Sequence, residues 1–274
     1  MEDRDRSLRV GLIGFGAIGR LVLETLHGRR PQAIEVAAIL VRPERAAALK
    51  ADLPQSVAVV SSVDELSALK LDLVAECAGQ PAVAQYGEAV LRLGLDLFVI
   101  STGALADDDL RSTLTSVAKQ SGARIVIPAG AIGGLDALNA LRLGGLSHVS
   151  YTSAKPPDAW RGTPAERSFD LGRLDGPTVI FKGTAREAAR LYPKNANLAA
   201  TVALAGCGLD DTMIVLVADP GLKENVGRIE AEGRFGRLSL ECRGPQAPDN
   251  PKTSAVTAFS IVHAIENRAR TLVI

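Results

Sequence analysis

Apolar and polar positions follow two different rhythms along the chain. From Leu8 a short apolar run gives way to a glycine-rich turn, then to Ile18, Leu21, Val22 and Leu26 at helical spacing, ending near Gly28. This predicts strand, turn, helix. Further apolar runs at Ile34 to Val41, Val57 to Val60, Leu71 to Glu76, Leu97 to Ile100 and Arg124 to Ile127 are mostly separated by segments of helix-forming composition. Strands of this kind alternating with helices imply a parallel sheet covered on both faces. After about Gly130 separated β-like runs take over, at Val149 to Thr152, Thr178 to Lys182, Thr212 to Ala218, Arg228 to Glu232 and Arg237 to Cys242. Helices are expected at Ala185 to Tyr192 and Asn197 to Ala205. A final helix is expected from Asn250-Pro251, a capping residue followed by proline at the first helical position, with Ala255, Ala258, Phe259, Val262 and Ile265 on one stripe.

The resulting fold class is α/β, a Rossmann-type doubly wound parallel sheet with a second α/β domain built on an open mixed sheet. The first domain is expected over 1–130, completed by the C-terminal helix at about 250–274, and the second over 131–249.

Composition narrows the function classes. With 47% hydrophobic and 23% charged residues the chain is globular, and 31 basic against 31 acidic side chains leave no net attraction for nucleic acid. The charged start Met1-Glu2-Asp3-Arg4-Asp5-Arg6 lacks the apolar stretch of a secretory signal, and no segment reads as a membrane span, so a cytoplasmic location is expected. Cys77, Cys207 and Cys242 are far apart, which suggests neither a disulfide framework nor a zinc site, and no metal is expected in catalysis.

Gly14, Gly16 and Gly19 form G-x-G-x-x-G between a predicted strand and a predicted helix, with Ala17 and Ile18 at the helix start. In that context the motif predicts a dinucleotide: one glycine for the tight turn, one for backbone approach to the pyrophosphate, one for close helix packing. Where an acidic residue usually holds the ribose hydroxyls, the chain reads Leu40-Val41-Arg42-Pro43, so Arg42 points to a 2′-phosphate and NADP is expected alongside NAD. Cys77-Ala78-Gly79 and Ser101-Thr102-Gly103-Ala104 follow later strands and are expected to line the nicotinamide side, Cys77 and Ala78 among the contacts.

Longer strings are more specific. Ile127-Pro128-Ala129-Gly130-Ala131-Ile132-Gly133-Gly134-Leu135-Asp136 and Lys194-Asn195-Ala196-Asn197-Leu198-Ala199-Ala200-Thr201 resemble the L-aspartate dehydrogenase family. So do Lys155-Pro156-Pro157, Gly162-Thr163-Pro164, Ala218-Asp219-Pro220 and Asn250-Pro251-Lys252-Thr253-Ser254, in the same order across nearly the whole chain. The resemblance implies a carboxy-terminal catalytic and dimerisation domain in a homodimer. It also implies reversible oxidation of L-aspartate to iminosuccinate, which water converts to oxaloacetate and ammonia, with NAD or NADP. It places cofactor contacts on Ala131 and Asn197, the latter with a helix cap as its structural alternative.

One position departs from the family. After Ala218-Asp219-Pro220 the family has Asn, any residue, then a catalytic His, whereas this chain has Asn225-Val226-Gly227. His27, His148 and His263 do not occupy that place. Loss of one acid-base group typically costs about 10² to 10⁴ in rate. The glycine is also expected to open volume beside the nicotinamide. Donors for a dicarboxylate are expected among Lys155, Lys194, Asn195, Thr163 and Lys252. Two alternatives stand beside an amino acid dehydrogenase: an NADP-dependent imine or carbonyl reductase, or a catalytically impaired NADP-binding protein.

Overall fold

A computed structural model describes residues 7–29, 33–247 and 250–273. Contacts divide the chain into two compact units, one running to Pro128 and resuming at Ala258, the other spanning Ala129–Thr257.

In the first unit the order is β1 (Leu8–Ile13), α1 (Ala17–Arg29), β2 (Ile34–Leu40), α2 (Pro43–Asp52), β3 (Ala58–Val60), α3 (Val63–Ser67), β4 (Leu73–Glu76), α4 (Gln80–Arg92), β5 (Asp96–Val99), α5 (Asp108–Ser121) and β6 (Ile125–Val126). The six strands are parallel and lie in the order β3-β2-β1-β4-β5-β6. The order reverses direction between β1 and β4, and a ligand crevice opens beyond the carboxyl ends of strands at such a point. Strand apolarity follows from burial: β4 and β5 are buried along their whole length. One face is covered by α1, whose Val22, Leu23 and Leu26 join Val10, Leu12, Val36 and Ile39 in a core. On the other, Gly87 of α4 sits so close to Leu114 and Leu97 that a Cβ there would lie 3.2 and 3.3 Å from them.

The second unit contains α6 (Leu135–Gly144), β7 (Leu146–Lys155), α7 (Ala165–Ser168), β8 (Thr178–Thr184), α8 (Ala185–Leu191), α9 (Asn197–Ala205), β9 (Met213–Ala218), β10 (Asn225–Gly233), β11 (Gly236–Gly244), β12 (Gln246–Ala247) and β13 (Asn250–Ser254). Five of its strands form an open mixed sheet in the order β11-β10-β7-β9-β8, with β7 and β9 parallel and the other neighbours antiparallel. Helix α8 opens on a capping box between Thr184 and Glu187.

Two expectations change here. Helix α6 went unread, because glycines precede it and Gly134, in left-handed backbone, occupies the N-cap without a side-chain signal. The last helix, α10 (Val256–Ala269), begins six residues after Asn250. Asn250–Ser254 is instead a strand paired with Gln246–Ala247, and the Ser254 hydroxyl accepts from the Val256 amide at 3.3 Å, near the helix start. Local capping chemistry at Asn250-Pro251 loses to strand pairing there. The buried residues of α10 are Ala258, Ile261, Val262, Ile265 and Glu266, and Phe259 is exposed. From Ala258 onward α10 belongs to the first unit, where Ile261, Val262 and Ile265 pack into the core that contains α1.

Among the described residues no helix is long and apolar enough to cross a membrane.

Candidate active site

In the first unit the glycine turn joins β1 to α1. Gly14 adopts φ +88°, and a Cβ on it would lie 2.6 Å from the Ala78 Cβ; a Cβ on Gly19 would lie 2.6 Å from the Gly14 carbonyl oxygen. A side chain at either place would meet the adjoining chain. Around Gly16 nothing lies within 4 Å of a Cβ position, so its backbone is open to approach. Ala17 and Ile18 are half-buried at the amino end of α1, whose first turn has no acidic residue. An open glycine backed by a helix amino terminus free of carboxylates fits a pyrophosphate.

Arg42 is the residue before α2, exposed, and its Nε lies 3.3 Å from a Glu44 carboxylate oxygen. The guanidinium therefore already has an acidic neighbour, which the sequence reading did not weigh. Cys77 is buried at 8% exposure, its amide donates to the Ile13 carbonyl at 2.8 Å, and burial pushes its thiol up. Its side chain packs near the glycine turn, 3.7 Å from a Cβ position on Gly19. Ala78 is exposed beside Gly14.

Reading the motifs alone missed Glu76, the last residue of β4, with 0% exposure. It accepts hydrogen bonds from the amides of Ala78, Gly79 and Ser101 and from the Ser101 hydroxyl. Burial raises its pKa against the lowering pull of those bonds. A charged residue ending an apolar strand was the available signal.

The second unit brings Ala131 and Asn197 into one neighbourhood: a Cβ on Gly130 would sit 2.7 Å from Leu198, at the first turn of α9. Asn197 is the first residue of α9 and Ala196 holds the cap position without a side-chain bond, so Asn197 is not the cap. Lys155, at the carboxyl end of β7, is buried at 7% exposure with its Nζ 5.6 Å from the Trp160 ring centroid. Asn195, also at 7%, donates from Nδ2 to the Ala159 carbonyl at 3.2 Å, while its Oδ1 has no partner among the described residues. Lys155 and Asn195 thus converge on the turn carrying Ala159 and Trp160. Thr163 uses its hydroxyl on the Trp160 carbonyl at 2.6 Å, a turn-closing bond, and Lys194 is exposed. The Lys252 side chain lies outside the described residues.

Gly227 is buried in β10, opposite Ser153 of β7 and Cys242 of β11. The expected open volume is not there. A Cβ would lie 3.1 Å from Ile132 Cδ1 and 3.1 Å from the Tyr151 hydroxyl, so neighbouring side chains have filled the place. Burial holds Tyr151 in its phenol form, with its pKa raised and Ser153 as its hydrogen-bond partner. Asn225, two residues earlier on the same strand, has an Oδ1 without a partner among the described residues. His27, His148 and His263 are all exposed.

A glycine cradle on a doubly wound parallel sheet, joined in sequence to a second α/β unit with a buried lysine, defines an NAD(P)-dependent oxidoreductase. Residues 14–128 match the NAD binding domain of homoserine dehydrogenase, and residues 136–268 match the aspartate dehydrogenase C-terminal family. L-Aspartate dehydrogenase of Cupriavidus taiwanensis is 46% identical, covering 96% of this chain and 98% of its own. That of Pseudomonas aeruginosa is 46% identical, covering 97% and 99%. The crystal structure of aspartate dehydrogenase from Thermotoga maritima superposes with a TM-score of 0.74 at 27% identity, over 98% of this chain and 100% of that one. The chain belongs to the L-aspartate dehydrogenase family.

Proposed function

We propose that the protein catalyses the reversible oxidation of L-aspartate to iminosuccinate, and thence to oxaloacetate and ammonia, with NADP or NAD. The observation that carries this reading is the likeness to proteins named L-aspartate dehydrogenase over essentially their whole length. The bound nicotinamide would supply the hydride acceptor. The backbone of Gly14, Gly16, Ala17, Ile18 and Gly19 would hold its pyrophosphate, Arg42 a 2′-phosphate, and the loop at Cys77 and Ala78 would flank its nicotinamide half; the likeness to the family adds Ala131 and Asn197 as cofactor contacts. Lys155 offers a buried cation to a substrate carboxylate, and the Asn195 Oδ1 offers an acceptor to its ammonium. Lys194 and Thr163 are weaker candidates, one exposed and one already bonded within its turn.

Proton transfer distinguishes this chain. Gly227 carries no group to take the ammonium proton, and the polar atom nearest the place a Cβ would take is the Tyr151 hydroxyl. The reaction accordingly runs without a positioned imidazole, at a maximal rate lower by about 10² to 10⁴ than one with it. That same glycine supports the second reading, a reductase acting on another imine or carbonyl. A reductive screen tests both: oxaloacetate with ammonia against other keto acids and amines, following NADPH and NADH oxidation. Turnover confined to another substrate would overturn the aspartate reading.

The working form is a homodimer built through the second unit, as closed two-fold assembly is the commonest oligomer, and light scattering measures it directly. Its location is cytoplasmic, in keeping with the free cysteines Cys77, Cys207 and Cys242.

A further inference from the structure

Three loops leave the carboxyl ends of β1, β4 and β5, and one buried carboxylate bonds to two of them. Glu76 Oε1 accepts from the Ala78 amide at 2.7 Å, the Gly79 amide at 2.6 Å and the Ser101 hydroxyl at 3.0 Å; Oε2 accepts from the Ser101 amide at 3.0 Å. The third loop is reached by packing, since Ala78 lies directly against Gly14, where an added Cβ would come within 2.6 Å of it. Ser101 in turn precedes the buried 3-10 turn Thr102–Ala106.

All four of those donors are neutral, so among the described residues no charged donor offsets the burial of the carboxylate, and burying an ion in this way is costly. A carboxylate is the one side chain whose two oxygens are both acceptors, which is what donors converging from two loops require. An amide would turn a donor toward one of them. We propose that Glu76 is a positioning residue for the cofactor: it locks the loops after β4 and β5 to each other and against the glycine turn, presetting the seat of the nicotinamide half. This rests on the cofactor reading above. Loops ordered beforehand lose little further freedom on binding, so less of the binding energy is spent on ordering them.

Glu76→Gln is the test. One oxygen can keep the Ala78, Gly79 and Ser101 hydroxyl bonds, but the new NH₂ would face the Ser101 amide, replacing one of the two bonds to the β5 loop with a donor against a donor. Dissociation constants for NADH and NADPH are expected to rise about tenfold or more. ADP-ribose, which lacks the nicotinamide and sits over β1 and β2, is expected to change by no more than about twofold. Amide exchange is expected to quicken at 101–106 and to hold at 77–79. Unchanged NADH binding by a folded variant overturns the proposal, as does an equal loss for NADH and ADP-ribose, which would mean general damage. If Glu76→Gln does not fold, Ser101→Ala carries the test by removing only the hydroxyl bond. About a threefold loss of NADH affinity with ADP-ribose unchanged then supports the proposal, and no loss overturns it. Wild-type protein that binds none of these ligands overturns the cofactor reading itself.

Discussion

The glycine turn of the first unit and the glycine of β10 in the second place the same residue in opposite situations. At Gly14 and Gly19 the atoms a side chain would strike belong to neighbouring loop and backbone, namely the Ala78 Cβ and the Gly14 carbonyl. At Gly227 they are the tips of two side chains, Ile132 and Tyr151. Backbone cannot move aside without losing the turn, whereas side-chain tips can repack. Binding by backbone is thus indifferent to most substitutions but intolerant at its glycines. Chemistry by side chain can be lost or restored by one residue while the fold persists.

Gly14→Ala is the harshest test. It combines φ +88° with a contact at 2.6 Å, and we expect NADH affinity to fall by about 10² or more, with a lower melting temperature. Titration by nicotinamide fluorescence measures it, and near-native binding would break the comparison from the first side.

Gly227→His tests the second side. Restoring an imidazole is expected to raise maximal aspartate turnover by about 10², with little change in the Michaelis constant, because the group acts in the transition state. The Ile132 methyl obstructs it, so the full gain is expected in the Gly227→His, Ile132→Ala double variant. Robust wild-type turnover that neither variant improves would show that the family's imidazole is dispensable here.

Asn197→Ala asks whether this residue contributes to cofactor binding through its side chain. Calorimetry is expected to record a loss of about 1 to 3 kcal/mol in cofactor binding if a buried partner is left unpaired. Because Ala196 holds the cap position, thermal stability should fall little; a drop in stability with unchanged affinity would return Asn197 to a structural role.

The smallest effects are expected at the exposed pair Arg42 and Glu44. Arg42→Ala should weaken NADPH several-fold and leave NADH nearly unchanged, while Glu44→Ala should tighten NADPH by a few-fold through removal of a repelling carboxylate. Equal shifts for both cofactors in either variant would remove this pair from the recognition of the 2′-phosphate.

Sequence legibility divides along similar lines. The first domain could be read because strand apolarity and the glycine triplet are local consequences of a sheet buried on both faces and a tight turn. Asn197 to Ala205 was read to the residue, whereas α6 was hidden behind a glycine cap and Asn250-Pro251 carried a helix signal that strand pairing overrode. Among candidate residues, Lys155, Lys194, Asn195 and Thr163 look equivalent as loop donors. Only folding buries Lys155 and Asn195, spends Thr163 on its turn and leaves Lys194 exposed.

The sequence alone determined the alternation of strands and helices in the first domain, the glycine cradle, the family, and the absence of a histidine at 227, since each is written in residue type and spacing. Tertiary structure decided that the space beside Gly227 is filled and that Glu76 ties separate loops together. Those facts depend on residues far apart in the chain, Ile132 and Tyr151 against Gly227 or Glu76 against Ser101, and nothing in local pattern records which distant side chain packing will bring to a given atom.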